Sequence, residues 1–211
     1  HIKINKINVS IDKIVSIFDY EKINRAFNLN KIKTILEIGA GSGRTTEAIL
    51  SIKKDIKYIV CDIPPAIYIS YKRLRAAFPR KKISIIIDSN NIEKIKHQIK
   101  KNDLIFIIPH QLEYIEKNLI DLTIAVDCLH EMDKKTINYY FNLINQLSKN
   151  LYFSIWKETI VPYSDNFFGK NRLIFEKGDY NVPKAWKNIF KEKLLFPSNY
   201  LSLGYRIKNK K

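Results

Sequence analysis

Three glycines alternate with other residues in one short segment, residues 39–43, which reads Gly-Ala-Gly-Ser-Gly. The segment follows an apolar, β-branched run, Thr34–Ile38, and precedes a helical pattern that begins at Thr45. Because glycine has no Cβ, the backbone of such a loop can approach a ligand closely. The N–H groups at the start of the following helix can donate hydrogen bonds to that ligand. The segment is therefore a candidate binding loop between a strand and a helix.

The spacing of these glycines does not fit two common phosphate-binding motifs. A dinucleotide fingerprint, Gly-x-Gly-x-x-Gly, would need a glycine where Arg44 stands. A P-loop needs Gly-Lys-Ser/Thr, whereas Gly43 is followed by Arg44 and Thr45. Glu37, at the end of the preceding strand, would repel phosphate and suits a cationic ligand, such as a sulfonium amino acid with a free ammonium group. Asp62 ends the next apolar run, where a carboxylate can accept hydrogen bonds from ribose hydroxyls.

The elements that must position these residues alternate along the chain. The patterns predict helices at Ser10–Phe27 with Ser10 as N-cap, Thr45–Ile52, Ala66–Phe78, Ile92–Lys100 and Thr136–Leu147. They predict strands at Thr34–Ile38, Lys57–Cys61, Ile83–Ile87, Leu104–Ile108, Leu122–Val126 and Leu151–Ile155, with closing strands at Asn188–Leu195 and Leu201–Ile207. Mostly apolar strands that alternate with helices are typical of a parallel sheet covered on both faces. We therefore expect an α/β, Rossmann-like, doubly wound fold with a mostly parallel seven-stranded sheet and helices on both faces. One of the eight predicted strands, Ile83–Ile87 or Leu104–Ile108, is extra to the usual topology.

Composition limits the function classes. The chain has 211 residues, 45% of them hydrophobic, which suits one folded domain and excludes a disordered tail. Two cysteines favour a reducing, cytoplasmic compartment, and no apolar run is long enough to span a bilayer. The net charge is +16, but its lysines are spread along the chain, whereas groove-reading proteins concentrate arginine on one element. Nucleic acid is therefore not the expected partner.

The sequence begins with His1, and its only methionine is Met132, so we expect a longer natural chain. Residues 1–30 are expected to form a truncated N-terminal helical extension, and residues 31–211 the main domain.

The pattern Glu-x-Gly-x-Gly-x-Gly from Glu37, with Asp62 ending the second strand, resembles the class I S-adenosylmethionine-dependent methyltransferases over Lys31–Ile207. A narrower resemblance is to the sugar O-methyltransferases of bacterial polysaccharide gene clusters. It is carried by Tyr58–Pro64, Phe106–Pro109, Asp121–Ile124 leading to Glu131-Met132, and Tyr139–Phe141 before Leu151–Phe153. The stretch Ala125–His130 departs from that family, because its Leu-His is closer to small-molecule O-methyltransferases.

The resemblance implies S-adenosylmethionine as the cofactor of the domain. The residues implied to hold its methionine part are Glu37, Gly39, Ala40, Gly41 and Gly43. Asp62 is implied to bind the ribose diol, and Ile63 to lie against the adenine. A further adenine-side contact follows the third strand, and we favour Pro109 and His110 over Asp88, which could instead cap the next helix.

The resemblance also implies that the loop after the fourth strand faces the transferred methyl group. A hydroxyl acceptor benefits from a base as its proton leaves. We favour His130, which titrates near neutral pH, over Glu131, and Asp127 is the third candidate. Glu131 could instead cap the following helix together with Asp133, and Asp127 could satisfy loop backbone groups. No metal is expected, because no second cluster of carboxylates and amides follows the fifth strand.

We expect the acceptor to be a small molecule or glycan precursor, with an anionic acceptor as one option. The alternatives are a small-molecule, non-sugar O-methyltransferase, a nucleic-acid methyltransferase suggested by the charge, and a non-catalytic binding domain. The aromatic stretch that reaches Trp186 could stack against a sugar, with Lys170 and Arg172 meeting an anion, or could pack over the sheet. The sequence does not indicate an oligomeric state.

Overall fold

The computed structural model describes residues 2–4, 7–86, 91–156, 159–160, 174–175, 180–194 and 200–207. These residues belong to two compact units, His1–Tyr114 and Ile115–Lys211. Within the described ranges, none of the helices combines the length and the apolar character that crossing a membrane requires.

The first unit alternates strands with helices, as the sequence predicts. Its elements are β1 (Ile2–Ile4), β2 (Ile7–Val9), α1 (Ile11–Phe27), a 3₁₀ turn (Leu29–Lys31), β3 (Thr34–Ile38), α2 (Arg44–Ile52), β4 (Lys57–Cys61), α3 (Ala66–Ala77), β5 (Ile83–Ile86), α4 (Ile92–Lys101), β6 (Leu104–Ile107) and a second 3₁₀ turn (Pro109–Tyr114). Ser10 caps α1, because its Oγ accepts the N–H of Lys13 at 3.3 Å. The first two strands, β1 and β2, form a separate antiparallel pair.

The larger strands of the first unit run parallel, in the spatial order β3, β4, β6, β5. The residues that follow β3, β4 and β6 therefore leave the sheet at the same edge, where α/β proteins bind ligands. β6 lies directly beside β4, and β5 lies on the far side of β6. Pro109 and His110 therefore follow the strand that lies beside β4, and their contact with adenine stays a prediction. The competing residue, Asp88, falls outside the described ranges.

The second unit combines a parallel pair with an antiparallel closing hairpin. Its elements are β7 (Leu122–Val126), a 3₁₀ turn (Leu129–Glu131), α5 (Lys134–Leu147), β8 (Asn150–Trp156), β9 (Thr159–Ile160), β10 (Ile174–Phe175), β11 (Lys187–Leu194) and β12 (Tyr200–Arg206). β7 pairs parallel with β8, whereas β12 is antiparallel both to β8 and to β11. Aromatic side chains fill the core beneath these strands. One such pair is Phe153 and Tyr205, whose rings stack with centroids 5.9 Å apart.

Among the described residues, the sheet strands number eight, with β3, β4, β5 and β6 in the first unit and β7, β8, β11 and β12 in the second, so the expected count of seven was wrong. β5 is a full strand with four residues in register on β6, and it raises the total by one. β11 and β12 pair antiparallel because a short connection can reverse the chain but cannot make a parallel crossover. The expectation of an α/β sheet with helices between its strands is confirmed.

The aromatic residues at positions 180 and 186 pack inside the second unit. The side chains of Tyr180 and Trp186 are 1% and 5% exposed, and the Trp186 indole donates to Asn145 Oδ1 at 2.9 Å. For these two residues, packing over the sheet is the correct alternative. Lys170 and Arg172 lie outside the described residues.

Candidate functional site

The glycine loop makes a tight turn that only glycine adopts without strain. Gly39, Gly41 and Gly43 have φ angles of 68°, 55° and 76°, all in the left-handed region. The Gly39 N–H donates to the carbonyl of Cys61 at 2.9 Å, and the Gly43 N–H donates to Ala40 at 2.8 Å. These bonds fix the loop between the end of β4 and the first turn of α2.

Gly41 and Gly43 have different surroundings. A Cβ on Gly43 would lie 2.8 Å from Leu74 Cδ1 and 3.3 Å from Ser70 Cβ, so this glycine allows α3 to pack against the loop. A Cβ on Gly41 would meet nothing within 4 Å. Because no protein atom needs the space beside Gly41, a glycine there leaves the loop open to a ligand.

Asp62 holds the loop and the end of β4 together. Its Oδ2 accepts the Gly41 N–H and its Oδ1 accepts the Ile63 N–H, both at 2.7 Å. Burial raises the pKa of Asp62, and the two backbone N–H donors oppose that rise. Each carboxylate oxygen keeps a further lone pair, so Asp62 can accept from a ligand hydroxyl without losing these contacts.

Glu37 is a buried acid at the carboxyl end of β3. Its side chain is 2% exposed, and its Oε2 accepts hydrogen bonds from the hydroxyls of Thr46 and Tyr58, the latter at 2.7 Å. Burial raises the pKa of Glu37 from 4.5 to about 7, although both hydrogen bonds lower it. A cation beside this carboxylate would restore its charge, because an opposite charge favours the ionised form.

Sequence reasoning missed Thr46 and Tyr58 as partners of Glu37. Both residues are fully buried. A tyrosine inside an otherwise apolar strand must find a partner for its hydroxyl, and so must a threonine on the inner face of α2. Those two patterns could have identified the contacts.

The residues that the sequence predicts to contact adenine lie at the same edge of the first unit. Ile63 follows Asp62 and is 58% exposed, which leaves an apolar side chain available at the edge. Pro109 and His110 begin the 3₁₀ turn after β6. The Asp62 N–H donates to the carbonyl of Ile107 at 3.3 Å, which ties the end of β4 to the end of β6.

The second unit carries the predicted acceptor-side residues just after β7. Asp127 adopts a φ of 58°, which is rare for a residue with a Cβ. Its N–H donates to the carbonyl and to the Oγ of Ser154, at 3.2 and 3.1 Å. Such strain persists only where surrounding contacts enforce it, and it is common at functional sites. Ser154, on β8, was not predicted from the sequence.

His130 lies against Asp127. The His130 Nε2 is 3.5 Å from Asp127 Oδ1, and the imidazole side chain is 5% exposed. Burial lowers the pKa of His130, while the charge of Glu131 opposes that effect. The imidazole is therefore neutral near pH 7 and can accept a proton.

Glu131 and Asp133 have separate positions. Asp133 is the N-cap of α5, and its Oδ1 accepts the Thr136 N–H at 2.6 Å. Glu131 ends the 3₁₀ turn and is exposed. Among the residues that the structure describes, no three His, Cys, Asp or Glu side chains form a group that could hold a metal ion.

Comparison with known proteins places this geometry in a structural class. Neither a protein-family model nor a curated protein sequence matches the chain. Solved structures do match it. A Burkholderia thailandensis 1,6-didemethyltoxoflavin-N1-methyltransferase with bound S-adenosylhomocysteine aligns at a TM-score of 0.56 and 13% identity, over 98% of this chain and 94% of that one. The chain has a methyltransferase fold.

Two further structures resemble it as well. The mitomycin 7-O-methyltransferase aligns at a TM-score of 0.58 and 13% identity, over 92% of this chain. Human N-acetylserotonin methyltransferase in complex with S-adenosylmethionine aligns at 0.55 and 13%, over 93% of this chain. The chain spans only 54% of each of these two proteins.

Proposed function

We propose that the protein is an S-adenosylmethionine-dependent O-methyltransferase. The observation that carries this proposal is the arrangement of Glu37, the open glycine loop and Asp62 at one edge of a sheet with a methyltransferase fold. The similar structures with bound S-adenosylmethionine or S-adenosylhomocysteine support the choice of ligand.

The residues of the first unit fit this cofactor. Two neutral hydroxyls, those of Thr46 and Tyr58, donate to the Glu37 carboxylate, and the ammonium group of the cofactor would add a cation beside it. Gly39, Ala40, Gly41 and Gly43 would hold the methionine part, because the space beside Gly41 is free of protein atoms. Asp62 would accept from the ribose hydroxyls, and Ile63, Pro109 and His110 would contact the adenine. When bound, S-adenosylmethionine supplies a methyl group that its sulfonium already activates.

Residues of the second unit would act on the hydroxyl group of the acceptor. His130 would accept the proton of the acceptor hydroxyl, since burial keeps its imidazole neutral at neutral pH. Asp127 would stabilise the imidazolium that results, because its Oδ1 lies 3.5 Å from His130 Nε2. Glu131 is the alternative base. Glu131 is exposed, whereas His130 is buried beside Asp127, and this difference in surroundings favours His130.

The proposed acceptor is a hydroxyl of a sugar or glycan precursor. The motifs around Asp62, Pro109 and Glu131 support a sugar, and the net charge of +16 favours an anionic acceptor such as a nucleotide sugar. The second candidate is a non-sugar small molecule. The Leu129-His130 pair supports it, as does the similarity to the mitomycin and 1,6-didemethyltoxoflavin methyltransferases.

A methyl-transfer assay separates these acceptor classes. The full chain is incubated with methyl-labelled S-adenosylmethionine and with panels of nucleotide sugars, free sugars, phenols and RNA. Labelled sugar products would support the leading proposal, and labelled phenols the second candidate. Transfer to RNA alone would contradict both, and transfer to nothing despite cofactor binding would favour a non-catalytic domain.

A further inference from the structure

The glycine loop is held from one side by a charged side chain of α3. The Arg73 Nε donates to Glu47 Oε2 at 2.7 Å, and its Nη1 donates to Ser42 Oγ at 3.2 Å. Ser42 stands between Gly41 and Gly43, whereas Glu47 lies one turn into α2. A single guanidinium therefore joins the loop to the helix that follows it.

The same face of α3 packs directly on the loop. Gly43 lies against Leu74 and Ser70, which are one residue after and three residues before Arg73. The leading helix extends the contact, because the Lys13 ammonium lies 3.8 Å from the second oxygen of Glu47. The position of Ser42 thus depends on a connected set of contacts from α1, α2 and α3.

We infer that Arg73 is a positioning residue that fixes Ser42, and with it the part of the loop that receives the amino-acid end of the cofactor. This inference rests on the proposed function. Preorganised loops bind more tightly because less conformational freedom is lost on binding. An arginine suits the task, since its planar fork can hold two acceptors in fixed directions, which a lysine ammonium cannot do.

The inference makes a specific prediction about two ligands. S-adenosylhomocysteine carries an amino-acid end, whereas 5′-methylthioadenosine has the adenosine without it. Loss of the Arg73 contacts should weaken binding of S-adenosylhomocysteine and leave binding of 5′-methylthioadenosine nearly unchanged. A change that merely loosened the fold would weaken both.

The test is calorimetric titration of both ligands into four proteins: the wild type, Arg73→Gln, Arg73→Lys and the control Arg75→Gln. Arg75 lies on the same helix, and its Nη1 donates to the Tyr71 hydroxyl at 2.7 Å. For Arg73→Gln we expect about a tenfold loss in S-adenosylhomocysteine affinity, the size of one lost hydrogen bond. Arg73→Lys should keep the pairing with Glu47, and hence the melting temperature, yet still lose affinity. Arg75→Gln should behave as wild type.

A double-mutant cycle with Ser42→Ala completes the design. If Arg73 acts through Ser42, the double variant should lose no more affinity than either single variant. Amide exchange of residues 41–43 in the free protein should also accelerate in Arg73→Gln. Equal losses for both ligands, or unchanged affinity in Arg73→Gln, would overturn the inference. If the wild type bound neither ligand, the proposed function itself would fail.

Discussion

Substituting alanine at Gly43 and, separately, at Gly41 tests the two roles assigned to these glycines. Both residues have a positive φ, at 76° and 55°, so both variants carry the backbone strain of an L-residue in the left-handed region. Only the Gly43 methyl would meet the protein, at 2.8 Å from Leu74 Cδ1. The two variants therefore share the cost of backbone strain, and only Gly43→Ala adds the cost of overpacking against Leu74.

The free-energy costs of backbone strain and of overpacking can be estimated separately. Left-handed strain costs about 1–2 kcal/mol for a residue with a Cβ. Overpacking costs roughly 1–3 kcal/mol more. We expect Gly41→Ala to lose about 1 kcal/mol and Gly43→Ala about 3 kcal/mol of unfolding free energy. For a chain of this length, each kcal/mol lowers the melting temperature by roughly 2–4 °C.

The assay pairs thermal unfolding with titration of S-adenosylhomocysteine. Gly43→Ala should melt well below Gly41→Ala. For the larger substitution Gly41→Val, we expect binding to be abolished while the protein remains folded, because the side chain would occupy the space left for the ligand. The reasoning would be refuted if the two alanine variants were equally stable, or if Gly41→Val bound with wild-type affinity.

Three further predictions concern charged groups. Because the pKa of Glu37 rises from 4.5 to about 7 on folding, this carboxyl stabilises the fold fully below pH 4.5 and loses that contribution as the pH rises through 7, a change of roughly 3 kcal/mol. In urea unfolding, the free energy of unfolding of Glu37→Gln should therefore rise relative to that of the wild type between pH 5 and pH 8. A difference in unfolding free energy that does not change with pH would contradict the prediction. His130→Ala should lower kcat about 100-fold or more, while the affinity for S-adenosylhomocysteine stays within twofold. The kcat of the wild type should fall only below pH 6.5, since burial lowers the pKa of His130. Lys57 donates to the carbonyls of Ile99, Lys100 and Asn102 at the end of α4. Lys57→Met should thus lower the free energy of unfolding by about 1–3 kcal/mol in a thermal melt. The control Lys54→Met, at an exposed lysine, should leave the melting temperature unchanged.

The order of helices and strands could be predicted because local patterns determine it. Thr34–Ile38 and Lys57–Cys61 were predicted with the bounds the structure gives, since each is an apolar run ended by a polar residue or glycine. The lateral order of strands could not be predicted in the same way. Placing β6 beside β4, with β5 outside, depends on contacts between residues far apart in sequence.

In the candidate site, too, the sequence predicted some residues and missed others. Gly41 and Asp62 were identified from spacing, and the structure joins them by a hydrogen bond of 2.7 Å. The residues that support the site were missed. Arg73 and Ser154 come from other elements, and no local pattern connects Arg73 to Ser42 or Ser154 to Asp127.

Direct titration of the full chain with S-adenosylhomocysteine tests the central claim most directly. The account predicts one binding site per chain, lost in Asp62→Ala and in Gly41→Val, with both variants still folded by circular dichroism. An absence of binding by the folded wild type would contradict it, and so would undiminished affinity in Asp62→Ala.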